Sequence, residues 1–225
     1  MTGADVTLWL VRHGETEWNV RGRVQGHADS PLTSSGISQA QALARLLATQ
    51  HHDAAIAESA KIGRVISSDA GRALHTARIL VKDLNFSIIT TPSFRERSYG
   101  VAEGMTYAEI DVHHPGAFSK VNETDPDYCI PEGESRRGFH HRVLSAVAEV
   151  CEQQRALPLD IAQRPVLIVC HGGLLGVIYR WANNIPIAAA ADVPIPNTGL
   201  NKIKIRAGNI ENGAEVLSWG DVSHL

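Results

Sequence analysis

The apolar positions of the chain follow two patterns, short continuous runs and longer stretches with helical spacing. Two runs, at 8–11 and 166–170, are almost wholly apolar, which is typical of strands buried on both faces of a parallel sheet. Weaker patterns predict four further strands, at 64–67, 86–91, 201–206 and 215–219.

Stretches with apolar residues three or four positions apart lie between these strands and predict helices. The four clearest cover residues 34–48, 72–80, 135–154 and 174–182. Thr33 or Ser34 is placed to cap the first of them. Strands that alternate with helices in this way are typical of an α/β fold with a mostly parallel sheet.

The stretch 104–134 is the least regular part of the chain. Thr106 and Glu109 have the spacing of a capping box and predict a short helix, whereas three prolines interrupt the remainder. We interpret this stretch as an insertion that forms a lid or a substrate-selecting loop. A chain of this length has room for one sizeable core, so residues 1–225 are expected to form a single domain.

The composition, with 44% hydrophobic and 20% charged residues, is that of a soluble globular protein. A formal net charge of −3 gives no general affinity for nucleic acid or an anionic membrane. No segment has the length of a membrane span or a signal peptide, and we expect a cytoplasmic protein. The three cysteines have no paired spacing and the histidine pairs lack helical zinc-site spacing, so neither disulfides nor a metal are predicted.

Arg12 and His13 stand where the first apolar run stops, next to Gly14. In open α/β sheets this edge is where ligands bind. A guanidinium has a fork of donors that matches phosphate, and its charge disfavours a neighbouring imidazolium. We therefore expect a neutral His13 with a lone pair for nucleophilic attack. From this pair alone, the alternative remains that Arg12 and His13 are ordinary residues at a strand end.

Two later junctions between strand and helix also carry charged or titratable residues. Arg72 stands in the first turn of its helix, where backbone N–H groups and the helix dipole favour an anion. A surface ion pair between Arg72 and Asp69 is the alternative interpretation. His171 ends the 166–170 strand, a place where a lone histidine is more often structural. The recurrence of such residues at three strand ends favours a common site.

Glu96 follows the 86–91 strand and has an arginine on each side. If the backbone is extended there, its side chain faces away from both arginines. A carboxyl directed into a phosphate site is suited to general acid catalysis. Taken by itself, the residue is better explained as a solvated carboxylate in a charged loop.

Taken together, these residues resemble those of the histidine phosphatase superfamily, which includes the cofactor-dependent phosphoglycerate mutases. The resemblance covers nearly the whole chain, and its most specific part is the opening motif LVRHGETEWN at 10–19. It implies a three-layer α/β/α sandwich with a mostly parallel central sheet. It also implies a site in which Arg12, His13, Arg72, Glu96 and His171 are catalytic. The phosphate- or substrate-binding residues that it implies are Arg12, Asn19, Gln25, Gly26, Arg72, His171 and Gly172.

The resemblance further implies a mechanism. His13 attacks phosphorus and becomes a phosphohistidine, while two arginines and a protonated His171 hold the equatorial oxygens. Glu96 protonates the leaving alcohol and later deprotonates water. Fixed cations replace a metal, and no cofactor is expected for hydrolysis.

The expected reaction is hydrolysis of a small phosphorylated metabolite. Mutases of the family carry a long basic insertion after the glutamate motif, whereas 104–129 is short and has Lys120 as its one basic residue besides histidines. A mutase that uses 2,3-bisphosphoglycerate at the same site is the alternative, and a non-catalytic phospholigand-binding module is a remoter one. Arg136 and Arg137 are candidates for carboxylate recognition or for a solvated helix face. A homodimer is possible.

Overall fold

A six-stranded sheet forms the centre of the molecule in a computed structural model that describes residues 4–117, 125–189, 193–208, 210 and 213–225. The strands are β1 (Val6–Arg12), β2 (Arg64–Ser68), β3 (Ile88–Thr91), β4 (Val166–Cys170), β5 (Leu200–Ile205) and β6 (Glu215–Asp221). In space they lie in the order β3-β2-β4-β1-β5-β6. The first four are parallel, β5 is antiparallel to β1, and β6 is antiparallel to β5. The predicted mostly parallel sheet is confirmed.

Seven α-helices are described, and four of them begin at a side-chain cap. They are α1 (Glu17–Val20), α2 (Ser34–His52), α3 (Gly71–Leu80), α4 (Tyr107–His113), α5 (Arg136–Arg155), α6 (Leu159–Ala162) and α7 (Gly172–Ala182). The side chains of Thr33 and Ser135 cap α2 and α5, and Thr106 forms the predicted capping box with Glu109. The sequence did not predict α1 and α6, because a single turn has too few residues to show a helical period.

The helices pack on both faces of the sheet, because successive side chains of a strand point to opposite sides. In β1, Leu8 and Leu10 belong to a core cluster with residues of α5 and α7. Trp9 and Val11 belong to a second cluster with residues of α2 and α3. This arrangement is the three-layer α/β/α sandwich that the resemblance implied.

Strand register explains why residues far apart in the chain meet at one edge. Arg12 pairs with Cys170 across β1 and β4, and Ser67 pairs with Val169 across β2 and β4. The backbone N–H of His13 donates to the carbonyl of Cys170 over 3.0 Å. The residues that follow β1, β4 and β2 therefore stand side by side at the carboxyl edge of the sheet.

The irregular stretch packs around a small core, formed by three of its own buried residues and two that precede it. These are Val24, Ala102, Ile110, Ala117 and Ile130. Residues 118–124, including Lys120, lie outside the described residues. Among the described helices none is both long enough and apolar enough to cross a membrane.

Candidate active site

A cavity of about 260 Å³ opens at the carboxyl edge of the sheet. Its lining residues are Arg12, His13, Asn19, Arg23, Val24, Gln25, Gly26, Arg72, Glu96, Tyr99, Tyr107, Gly172 and Gly173. All predicted site residues except His171 therefore line one cavity. They come from the end of β1, from α1, from the first residues of α3 and α7, and from the loops at 21–33 and 95–99.

His13 is buried, with 3% of its surface exposed. Its Nδ1 lies 2.8 Å from the carbonyl oxygen of Gly14, which can only accept, so Nδ1 carries the proton. Burial, and then the charges of Arg72 and Arg12, hold the pKa of His13 well below its usual range. The ring is therefore neutral, with the lone pair on Nε2 available for attack.

His171 is fully buried beside His13, with the two ring centroids 5.3 Å apart. Its Nε2 lies 2.8 Å from Oγ of Ser68, and its Nδ1 has no hydrogen-bond partner among the described residues. Burial, followed by the charge of Arg72, holds the pKa of His171 well below its usual range. Burial therefore opposes the protonated His171 that the resemblance implies during phosphate transfer, and that protonation stays a prediction.

Two guanidiniums are fixed at the cavity by backbone carbonyls. Arg12 donates to the carbonyl of Ile195 over 2.8 Å. Arg72, with 1% of its surface exposed, donates to the carbonyls of Gly26 and Ala28 and to Asp29. In both arginines Nε is buried without a partner among the described residues. Buried donors without partners are rare in folded proteins and are what an anionic ligand would satisfy.

The ion pair between Arg72 and Asp69, considered above as an alternative, does not form. Asp69 instead pairs with Arg95 over 2.6 Å, and Asp29 pairs with Arg72 over 2.9 Å. Asp29 comes from a loop that the linear sequence does not place near α3. Closeness to Arg72 in the sequence therefore suggested the wrong carboxylate.

Glu96 faces the cavity, as the extended-backbone argument predicted. One carboxylate oxygen accepts from the backbone N–H of Gly173 over 2.7 Å, and the other accepts from the backbone N–H of Arg97 over 2.8 Å. Neither flanking arginine neutralises it, since Arg95 pairs with Asp69 and Arg97 donates to the carbonyl of Glu134. The carboxylate is held at the start of α7 and lines the same cavity as His13.

The remaining predicted ligands line the cavity in distinct ways. The side-chain oxygen of Asn19 accepts from the backbone N–H of Thr16, and Oε1 of Gln25 is buried without a partner among the described residues. Gly26 adopts a positive φ of 57° and directs its carbonyl at Arg72. Gly172 is the first residue of α7, where unpaired backbone N–H groups favour an anion.

Sequence reasoning missed several residues at the site. Ser68 bonds to His171, Asn197 donates to the carbonyl of His13, and Tyr107 lines the cavity from α4. Asn197 lies in a proline-rich loop without any local signal of function. Ser68 was the one missed residue with a signal in the sequence, because it ends β2 at the same edge of the sheet as His171.

The described residues contain no group of three or more histidine, cysteine, aspartate or glutamate side chains that would suit a metal ion. Cys170 is fully buried, and burial raises the pKa of its thiol. It therefore behaves as a packed apolar residue at the end of β4.

Comparisons with known proteins agree with this geometry. A model of the histidine phosphatase superfamily (branch 1) matches residues 8–221. The chain is 34% identical over 219 residues to the probable phosphoglycerate mutase GpmB of Proteus mirabilis, covering 97% of this chain and 94% of that one. It is 32% identical over 218 residues to phosphoglycerate mutase-like protein 4 of Arabidopsis thaliana, covering 96% and 85%.

Solved structures with the same fold include YhfR of Bacillus stearothermophilus, with a TM-score of 0.81 and 30% identity over 97% of this chain and 98% of that one. A mycobacterial glucosyl-3-phosphoglycerate phosphatase, solved in complex with VO3, has a TM-score of 0.75 and 28% identity over 96% and 98%. From its sequence match and its fold alike, this chain belongs to the histidine phosphatase superfamily.

Proposed function

We propose that the protein is a phosphomonoester hydrolase that acts through a phosphohistidine on a small phosphorylated metabolite. The observation that carries this proposal is the state of His13. Its Nδ1 proton is committed to Gly14, its ring is neutral, and two guanidiniums border the same cavity. A neutral imidazole beside fixed cations is what nucleophilic attack on a phosphate dianion requires.

The proposed reaction has two displacements at phosphorus. Nε2 of His13 attacks, the ester P–O bond breaks, and Glu96 delivers a proton to the departing alcohol oxygen. Glu96 then takes a proton from water as the water attacks the phosphohistidine, which releases inorganic phosphate and restores His13. Arg12 and Arg72 hold the equatorial oxygens throughout. A bound phosphate dianion favours the imidazolium of His171, whose Nδ1 is the buried atom without a partner.

The test of the proposed function is hydrolysis of p-nitrophenyl phosphate. We expect turnover by the wild-type protein and an acid-labile phosphoenzyme after rapid quenching. His13→Ala is expected to lose essentially all turnover and all label, because the substitution removes the imidazole that is proposed to attack phosphorus. Circular dichroism of the variant checks that the fold is retained. Full activity in His13→Ala would refute the proposal.

A phosphoglycerate mutase remains the second candidate, because the curated relatives at 34% and 32% identity are named as mutases or mutase-like. The proposal favours hydrolysis, because two solved relatives with TM-scores of 0.75 and 0.76 are named as phosphatases. Incubation with 3-phosphoglycerate separates the two. Isomerisation stimulated by 2,3-bisphosphoglycerate would identify a mutase, and binding without turnover of any phosphoester would identify a phospholigand-binding module.

We also propose that the reaction needs no metal, because Arg12, Arg72 and the start of α7 supply positive charge where the transition state accumulates negative charge. Activity is expected to survive prolonged treatment with EDTA, and vanadate is expected to inhibit. Activity that disappears with EDTA and returns with a divalent ion would contradict this part of the proposal.

A further inference from the structure

The peptide group between His13 and Gly14, called the 13–14 peptide below, is held at both of its polar atoms by side chains from distant parts of the chain. Its carbonyl, that of His13, accepts from Nδ2 of Asn197 over 2.9 Å. Its N–H, that of Gly14, donates to Oγ1 of Thr76 over 3.0 Å. Because the carbonyl and the N–H of a trans peptide point in opposite directions, the two bonds together fix the rotation of the peptide plane.

Thr76 lies in α3 and is fully buried. Its hydroxyl accepts from Gly14 and donates its own proton to the carbonyl of Arg72, one turn earlier in the helix, over 2.8 Å. One hydroxyl therefore connects the helical turn that carries Arg72 with the 13–14 peptide.

Asn197 belongs to a loop that also holds Arg12. The carbonyl of Ile195 accepts from the guanidinium of Arg12 over 2.8 Å, and the backbone N–H of Thr198 donates to the carbonyl of Arg12 over 3.0 Å. Thr198 is buried and has a φ of 55°. A β-branched residue keeps such a backbone conformation only where the surrounding structure fixes it. The loop that carries Asn197 is therefore held firmly against the end of β1.

The orientation of the 13–14 peptide decides what the ring of His13 can bond to. The carbonyl of Gly14, the next along the chain, accepts from Nδ1 of His13 over 2.8 Å. Rotation of the 13–14 peptide would move this carbonyl relative to the ring, and Nδ1 would lose the partner that keeps the proton there. The proton would then be shared between the two ring nitrogens, and Nε2 would carry the lone pair for only part of the time.

We propose that Thr76 and Asn197 are positioning residues for His13. They hold the 13–14 peptide so that Nε2 of His13 carries the lone pair and keeps a fixed direction in the cavity. Neither side chain lines the cavity itself, so both act through His13 rather than through contact with a substrate. The expected effect on catalysis rests on the hydrolase function proposed above, whereas the expected effect on the His13 proton does not.

Thr76→Val keeps the shape of the side chain and leaves the N–H of Gly14 without its partner. We expect kcat for p-nitrophenyl phosphate to fall at least about tenfold, because a small displacement of a reacting group is costly. The inhibition constant of inorganic phosphate is expected to stay within about threefold of the wild-type value, since the guanidiniums bind phosphate without attack by His13. Thr76→Ser keeps the hydroxyl and is expected to recover most of the lost kcat.

Thr49→Val is the matched control for Thr76→Val. The hydroxyl of Thr49 donates to the carbonyl four residues earlier in α2 over 2.9 Å, as Thr76 does in α3, but it is exposed and does not line the cavity. Asn197→Ala is expected to lower kcat as Thr76→Val does. Its control is Asn183→Ala, which removes an exposed amide that also donates to a backbone carbonyl. Both controls are expected to keep the wild-type kcat.

A second measurement does not depend on hydrolysis. In ¹⁵N NMR spectra of protein labelled at histidine, the chemical shift of each ring nitrogen reports whether it carries the proton, and the His13 resonances are those that His13→Asn lacks. In the wild-type protein we expect Nδ1 of His13 to be protonated and Nε2 to be unprotonated. In Thr76→Val and Asn197→Ala both shifts are expected to move toward the average of the two tautomers, and in Thr49→Val they are expected to stay.

Wild-type kcat in Thr76→Val would overturn the proposal, as would a loss of kcat that phosphate binding matches. Unchanged His13 shifts in both Thr76→Val and Asn197→Ala would overturn it as well. If the wild-type protein hydrolyses no phosphoester, the hydrolase function has failed, and the His13 shifts alone then decide whether these two side chains position the ring. Thermal unfolding of each variant checks that the fold is retained.

Discussion

The two histidines of the candidate site share one buried environment but make different hydrogen bonds. Both rings are buried and both pKa values are held well below the usual range. They differ in which nitrogen is already occupied, since His13 uses Nδ1 toward Gly14 and His171 uses Nε2 toward Ser68. The hydrogen bond, rather than the charge, therefore decides which nitrogen each ring presents to a substrate.

Glu96 can be tested by the leaving group that it is proposed to protonate. Glu96→Gln cannot donate a proton to an alkoxide, whereas p-nitrophenolate leaves without one. We expect kcat/KM to fall by about 100-fold or more for an alkyl phosphate and by much less for p-nitrophenyl phosphate. The measurement is steady-state kinetics on both substrates at the same pH.

The substitution is also expected to lower the rate for both substrates by an effect that does not depend on the leaving group. The carboxylate accepts two backbone N–H bonds with different oxygens, and an amide can accept only one of them. Both substrates therefore lose some rate, and the difference between them carries the result. Glu152→Gln on the exposed face of α5 is the control. Equal losses on both substrates would remove Glu96 from the acid role.

At the residue scale the sequence predicted which side chains gather at the cavity but not which groups hold them there. Arg12, His13 and Arg72 follow from strand and helix ends together with the motif at 10–19. Their partners Ile195 and Asp29 lie far away along the chain or in a loop, and no periodicity links them. Partners of this kind depend on loop paths, which local patterns do not encode.

At the scale of elements, one carboxylate joins the two loops that carry the site. Glu103 accepts from the backbone N–H groups of His27 and Ala28 in one loop and of Tyr99 in the other. The first loop supplies the carbonyls of Gly26 and Ala28 that hold Arg72. Glu103 therefore helps to position Arg72, which is proposed to bind phosphate.

Glu103→Gln tests this link between the loops. An amide nitrogen would face at least one backbone N–H, and an unpaired donor costs about 1 to 3 kcal/mol. We expect the inhibition constant for vanadate to rise about tenfold and KM for p-nitrophenyl phosphate to rise with it. Inhibition titrations measure the first and steady-state kinetics the second.

Two comparisons separate positioning from a general loss of stability. Glu58→Gln removes an exposed carboxylate that pairs with Lys61 away from the cavity, and it is expected to leave vanadate inhibition unchanged. Thermal unfolding of Glu103→Gln is followed with and without vanadate. Unchanged inhibition in Glu103→Gln would show that the two loops hold Arg72 without this carboxylate.

At the scale of the whole molecule, burial could be predicted but strand order could not. The continuous apolar runs of β1 and β4 correctly predicted strands covered on both faces. The position of β4 between β1 and β2 depends on pairing between strands that lie more than a hundred residues apart in the chain. His13, Arg72 and His171 come together because of this strand order. Periodicity does not predict the order, whereas the family resemblance implied it.

The two buried histidines should also make the free energy of unfolding of the whole molecule depend on pH. Their pKa values are lower in the folded chain than in the unfolded chain, where the pKa of a histidine is about 6.5. Unfolding therefore takes up protons below that pH, and the free energy of unfolding falls as the pH is lowered. Each such histidine is expected to remove about 1 kcal/mol between pH 7 and pH 5.5.

Urea denaturation of the wild-type protein, His13→Asn and His171→Asn at these two pH values measures the effect. Each variant is expected to lose about 1 kcal/mol less than the wild-type protein over the interval, whatever its stability at pH 7. His141→Asn, at an exposed position of α5, is expected to follow the wild-type protein. Other histidines with lowered pKa values, including His51 and His140, are unchanged in every variant and cancel in the comparison. An identical loss in all four proteins would mean that His13 and His171 take up protons in the folded state, and the neutral nucleophile would then be lost at mildly acidic pH.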